Sequence, residues 1–169
     1  MKALKKYLGW IAVACAVVAV IMCALPFAKM GDDTLSGFEA MFGYEESAGG
    51  VSVKMFAFSV MNLLPLLLVV VAAVCAYLGK KKGNKIMNYV AIACFAVAAI
   101  LFFCAVNFLQ AHEDYKKFYE TMTGASNFKE MWKEFLKEMD LGIGAILAGI
   151  VSILGAAAVA VDTFVPVKE

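Results

Sequence analysis

The chain has no arginine, a single histidine and only three prolines, and charged residues are missing from its longest apolar runs. Each absence removes a class of function. Without the planar guanidinium there is no bidentate clamp for phosphate or carboxylate, and a formal charge of +1 supplies no basic face for nucleic acid. The all-lysine usage reads as the coding bias of an AT-rich bacterial genome. His112 alone cannot build a multi-histidine metal site. The five cysteines, Cys15, Cys23, Cys75, Cys94 and Cys104, lie within apolar runs and include no CxxC pair. They read as small packed hydrophobes rather than a disulfide framework. No acid, base, nucleophile or ligand cluster comes together in sequence, so the chain reads as non-enzymatic, with no cofactor and no metal.

What is present is apolar surface. Hydrophobic residues make up 63% of the chain, against roughly half in soluble domains. Residues 7–28, 55–78, 86–109 and 141–161 each reach the length of about 20 residues that a helix needs to cross a bilayer. Helices satisfy their backbone groups internally, whereas spanning strands must close into a barrel. The expectation is an all-α integral membrane protein: one four-transmembrane-helix bundle over 1–169, with short amphipathic helices in outer segments 29–54 and 110–140.

Lysine sets the orientation. Lys2, Lys5 and Lys6 precede the first span and Lys80, Lys81, Lys82 and Lys85 crowd the second connection, while both outer segments carry more carboxylates than lysines. A plasma-membrane protein with both termini cytoplasmic follows. The first apolar run exceeds the about 7–15 residues of a signal-peptide core, which favours a retained anchor; cleavage would leave three spans with the C-terminus still inside.

Helices in lipid associate where small residues let backbones approach. The fourth span carries Gly144, Ala148, Ser152 and Ala156 at every fourth position, continued by Ala160. The first span offers Ala12 and Ala16, and the third offers Ala91, Ala98 and Ala105. The second, NLLPLLLVVV from Asn62, is bulky on every side. Spans one, three and four are therefore expected to pack most closely, and the second to show more surface. Pro65 predicts a kink near 61–65, with Asn62 either capping the freed carbonyl or bonding across to another helix. Structurally this is a bend; functionally it would be a hinge or gate.

In the first outer segment Ser36 and Glu39 have capping-box spacing and predict a helix over 37–42, stopped by a left-handed Gly43. A loop through Gly49 and Gly50 follows, with an extended piece at 51–54. Asp32, Asp33, Glu45 and Glu46 lack the spacing of a calcium loop and read as solvated surface. The third span is expected to run outward to about 122, carrying Tyr115, Phe118, Tyr119 and Met122 as an apolar stripe.

The stretch NFKEMWKEFLKEMD, residues 127–140, repeats the capping-box spacing at Asn127 and Glu130. It places Phe128, Met131, Trp132, Phe135, Leu136 and Met139 on one helical face. Lysines 129, 133 and 137 edge one side and glutamates 130, 134 and 138 the other. The stripe has three destinations: the outer leaflet, a partner protein, or closure over the bundle. Closure leads, because the stripe at 115–122 lies one turn away.

A short inner N-terminus, a larger first outer segment, a small basic inner loop, a second outer segment and a fourth span give a topology that resembles the claudin-type tetraspans. The resemblance implies a four-span arrangement with inner termini. The Trp, Gly-Leu-Trp and paired-cysteine signature of the claudin outer loop has no counterpart here, and no site residue follows from the likeness.

The functional expectation is a non-enzymatic multi-pass accessory, scaffold or interaction subunit with an outward helical cap. Its partners are the lipid bilayer and another membrane protein or a second copy, with no nucleic acid. The alternative is a small oligomeric transporter or channel, suggested by Pro65, Asn62 and Asn107, although no ionisable residue sits at membrane depth where transport sites usually keep one.

Overall fold

The computed structural model describes residues 2–48 and 51–165, with side chains over 7–45 and 52–165. It is mostly helical. Four long helices form an up-down bundle: α1 (Lys2–Met22), α3 (Val60–Lys82), α4 (Lys85–Phe103) and α7 (Ile143–Phe164). Between α1 and α3 come β1 (Pro26–Met30), β2 (Asp33–Ser36), α2 (Gly37–Phe42), β3 (Tyr44–Ala48) and β4 (Val51–Phe56). Between α4 and α7 come a 3-10 turn (Ala105–Phe108), α5 (Glu113–Thr123), α6 (Phe128–Glu138) and β5 (Asp140–Leu141). Among the described residues, α3, α4 and α7 are long and apolar enough to cross a membrane, and the apolar part of α1, Tyr7–Met22, is shorter.

Each bundle helix buries a column of mostly small residues. On α3 the column is Asn62, Pro65, Val69, Ala72, Ala76 and Gly79, alternating three and four residues as a helix–helix seam does. On α4 it is Asn88, Ala91, Phe95, Ala98 and Phe102, and on α1 it is Leu8, Ala12, Ala16 and Ala19, continued by Cys23 just past its end. Helix α3 packs broadly on α4, α4 on α7 and α7 on α1, while the seam between α1 and α3 is the thinnest of the four. Helices α1 and α4 are thus diagonal, so the expected close trio of spans one, three and four does not form. The second span does keep more surface: α3 is the least buried of the three membrane-length helices.

The ridge on α7 begins as expected, with Gly144, Ala148 and Ser152 buried, but Ala156 and Ala160 are only half-buried. Gly155, Ala158 and Val159 take their place. A step of four residues turns 40° too far on a helix of 3.6 residues per turn, so a straight contact face must step back by one. The rings of α4 fill the resulting holes. A Cβ on Gly155 would stand 2.9 Å from the Phe95 ring, and one on Gly149 would stand 2.7 Å from the Phe103 ring.

The ends of the expected spans are corrected by strands. Residues 26–28 leave the first helix after Met22 and enter β1, because Pro26 has no amide hydrogen to continue a helix. Residues 55–56 belong to β4, and α3 starts only at Val60 behind the N-cap Ser59. The third span ends at Phe103 rather than running to about 122, and its continuation breaks into a 3-10 turn and a separate α5 capped by His112. The fourth begins at Ile143, since Leu141 is taken by β5.

Helix is therefore the rule for the bundle, while the two long connections, α1 to α3 and α4 to α7, add two small antiparallel sheets. One has the order β2-β1-β5, the other pairs β3 with β4. Residues 44–48, expected as loop, pair with β4 in the register Glu45–Lys54. Gly49 and Gly50 lie outside the described residues. Strand β5 joins β1 through Ala28–Leu141 and Lys29–Asp140, and β4 meets the α4–α7 connection at Phe56–Ala111. Backbone bonds from Ala57 N to Gln110 O (2.8 Å) and His112 N to Met55 O (3.0 Å) extend that junction. The two long connections are laced into one cap at one end of the bundle.

Candidate interaction surface

The cap rests on α2 and on the junction at the top of α3. The capping box closes as its spacing predicts: Ser36 Oγ accepts from Glu39 N at 3.3 Å, and Ser36 N donates to Glu39 Oε2 at 2.8 Å. Gly43 has φ +96° and ψ 160°, so it leaves the helix through a glycine-only region outside the left-handed helical basin expected of it. A Cβ there would stand 2.7 Å from Phe56 O. Phe27 drops from β1 into the bundle, edge-on to Phe102 at 5.8 Å between centroids.

Below the cap, Ser59 and Asn62 are fully buried and tie three elements together. Ser59 N donates to Met41 O at 2.9 Å, and Ser59 Oγ donates to Phe108 O at 2.8 Å. Asn62 Nδ2 donates to Ala40 O at 3.3 Å, so Asn62 bonds to α2 and does not cap the carbonyl freed by Pro65. Its Oδ1 has no partner among the described residues. Helix α3 is continuous through the buried Pro65. Asn107 is exposed at the cap, and the Ser152 hydroxyl donates to Ala148 O within its own helix. These polar groups serve separate local bonds.

The stripe on α6 turns inward. Phe128 is buried, and Met131, Trp132, Phe135, Leu136 and Met139 are half-buried. Phe128, Trp132 and Phe135 stack along the helix with interplanar angles of 17° and 22°. Tyr115 meets both Phe128 and Trp132 edge-on, Tyr119 meets Phe128, and Phe56 from β4 closes on Trp132 at 5.6 Å. Aromatic pairs of this geometry add about 0.5–1.5 kcal/mol each beyond burial. Only half of the matching stripe on α5 takes part: Phe118 and Met122 are exposed, the latter at 71%. Nor does Asn127 close a capping box, since its side-chain oxygen accepts from Tyr119 Oη at 3.4 Å instead.

With the apolar face used, α6 presents its charged edges. Lys129, Lys133 and Lys137 and Glu130, Glu134 and Glu138 are all exposed, and none of the six joins an ion pair among the described residues. The glutamate edge is concave. A shallow groove of about 420 Å³ is lined by Asn127, Glu130, Met131, Glu134, Phe135 and Glu138, so three carboxylates border two apolar side chains. Elsewhere in the cap, Asp32 and Asp33 are exposed at the β1–β2 hairpin, Glu45 accepts from the Ser52 hydroxyl, and the Glu46 side chain lies outside the described residues.

At the opposite end of the bundle, Lys80 Nζ reaches Asp162 Oδ1 at 3.1 Å and Oδ2 at 3.3 Å. This joins the diagonal pair α3 and α7, which otherwise touch little. Among the described residues no three His, Cys, Asp or Glu side chains gather as a metal site.

These features define a class: a mostly helical chain with three membrane-length apolar helices and a cap laced from the two long connections between them and α1. No family model matches the chain, and no curated protein or solved structure is similar to it.

Proposed function

We propose that the chain is a four-span plasma-membrane protein with cytoplasmic termini, non-enzymatic, acting as an interaction subunit through its outward cap. Helix α1, 21 residues long from Lys2, serves as the remaining span beside the three longer apolar helices. The observation that carries the reading is α6. Its apolar stripe is already engaged with Phe56, Tyr115 and Tyr119, yet its glutamate edge forms an open groove that Met131 and Phe135 also line. A rigid ledge of that kind suits a basic segment of another membrane protein, steered by charge and seated by an apolar side chain.

Co-purification from gently extracted membranes tests it, comparing wild type with two triple variants. Glu130, Glu134 and Glu138 changed to Lys should lose the partner. Lys129, Lys133 and Lys137 changed to Glu should keep it. A monodisperse protein with no reproducible partner, or equal retention by both triples, contradicts the proposal.

A further inference from the structure

The end of the bundle away from the cap holds a second concavity, of different chemistry. A cavity of about 160 Å³ is lined by Gly9 and Trp10 of α1 and by Tyr77, Lys80 and Lys81 of α3. It sits at the inner end of the thinnest seam in the bundle. Trp10 meets Tyr77 edge-on at 5.7 Å between centroids, and Lys81 Nζ stands 6.0 Å over the Tyr77 ring. Trp10 is 60% exposed, although a tryptophan of a water-soluble surface would normally be covered.

The two lysines of the cavity play different parts. Lys80 lays its stem over Gly9, where a Cβ would stand 2.5 Å from Lys80 Cδ, and its ammonium is held by Asp162. Lys80 therefore builds the wall. Lys81 is exposed and carries its charge at the mouth, steadied by the Tyr77 ring. The last-turn carbonyls of α3 repel an anion, but Gly79 O accepts from both Gly83 N and Asn84 N, which reduces that repulsion. The exposed Lys82 and Lys85 add further positive charge nearby.

Aromatic side chains at a bilayer interface, a cation at headgroup depth and an apolar seam leading away form the setting in which acidic lipid heads bind between helices. Below the mouth, Val70, Val74 and Val17 are exposed along α3 and α1 and offer a surface for acyl chain. The cavity is too small for a whole phospholipid and fits part of a headgroup. We infer that the groove between Trp10 and Lys81 seats the phosphate-bearing headgroup of an anionic phospholipid from the cytoplasmic leaflet. The inference rests on the four-span reading, with the lysine end inside.

The test uses the full chain in phosphatidylcholine nanodiscs, doped at equal low fraction with brominated phosphatidylglycerol or brominated phosphatidylcholine, and reads quenching of the Trp10 emission as the difference from Trp10→Phe. The glycerol lipid should quench more than the choline lipid. Lys81→Ala should weaken that preference about fivefold, the effect of one lysine near an anionic surface, while Lys82→Ala, outside the cavity, should leave it nearly unchanged. Inorganic phosphate should not restore the emission. Equal quenching by both lipids, or equal effects of Lys81→Ala and Lys82→Ala, would show general surface attraction and overturn the site. Displacement by inorganic phosphate would reassign it to a free anion. Absence of quenching by either lipid would remove α1 from the bilayer, and the four-span reading would fall with the site.

Discussion

At the scale of single residues, the bundle is governed by what is missing from side chains. A Cβ on Gly144 would stand 2.8 Å from both Met22 O and Leu25 O, and backbone atoms cannot swing aside as the end of a flexible side chain can. Gly144→Val should therefore destabilise by about 1–3 kcal/mol, the usual cost of overpacking, whereas Ala157→Val, on an exposed position of the same helix, should be nearly neutral. Thermal unfolding of the two variants in one detergent separates them. The residues at the start of this ridge were legible from spacing alone. Gly155 was not, because a strict count of four ignores the turn of the helix, and the contact face had passed from Ala156 to Gly155 by that point. Asn62 was legible as a polar residue needing a partner, but Ala40, its acceptor, comes from a helix 22 residues earlier.

At the scale of elements, two capping boxes with equal spacing met different ends. Ser36 closes its box because the preceding strand holds it extended, with φ −68° and ψ 162°, the backbone an N-cap needs. Asn127, at φ −93° and ψ 28°, lacks that backbone and bonds Tyr119 instead. Hydrogen-bond lacing between the two long connections left almost no local trace, since β5 is two residues long and β1 contains a proline. The amphipathic α6 was plain in sequence because burial of one face repeats every turn. Its packing predicts local rather than global failure: Trp132→Ala removes ring contacts with Phe56, Tyr115, Phe128 and Phe135. It should cost about 2–3 kcal/mol for a half-buried ring. Amide exchange should accelerate in α5 and α6 while α4 and α7 stay protected, as separate cooperative units allow. Equal acceleration throughout would mean that cap and bundle unfold together.

At the scale of the whole molecule, the two ends of the bundle differ in kind. The cap end is tied by strands, buried polar bonds at Ser59 and Asn62, and an aromatic stack; the other end carries the ion pair Lys80–Asp162 across the bundle diagonal and the ring contact of Trp10 with Tyr77. The proposed function assigns the first end to the outside and the second to the cytoplasm, on the strength of lysine placement in short connections. Cysteine accessibility tests that assignment directly. In intact cells an impermeant maleimide should label Lys133→Cys on the exposed edge of α6, and should label Lys82→Cys at the end of α3 only after the membrane is opened. Labelling of Lys82→Cys from outside, with Lys133→Cys protected, would contradict the account.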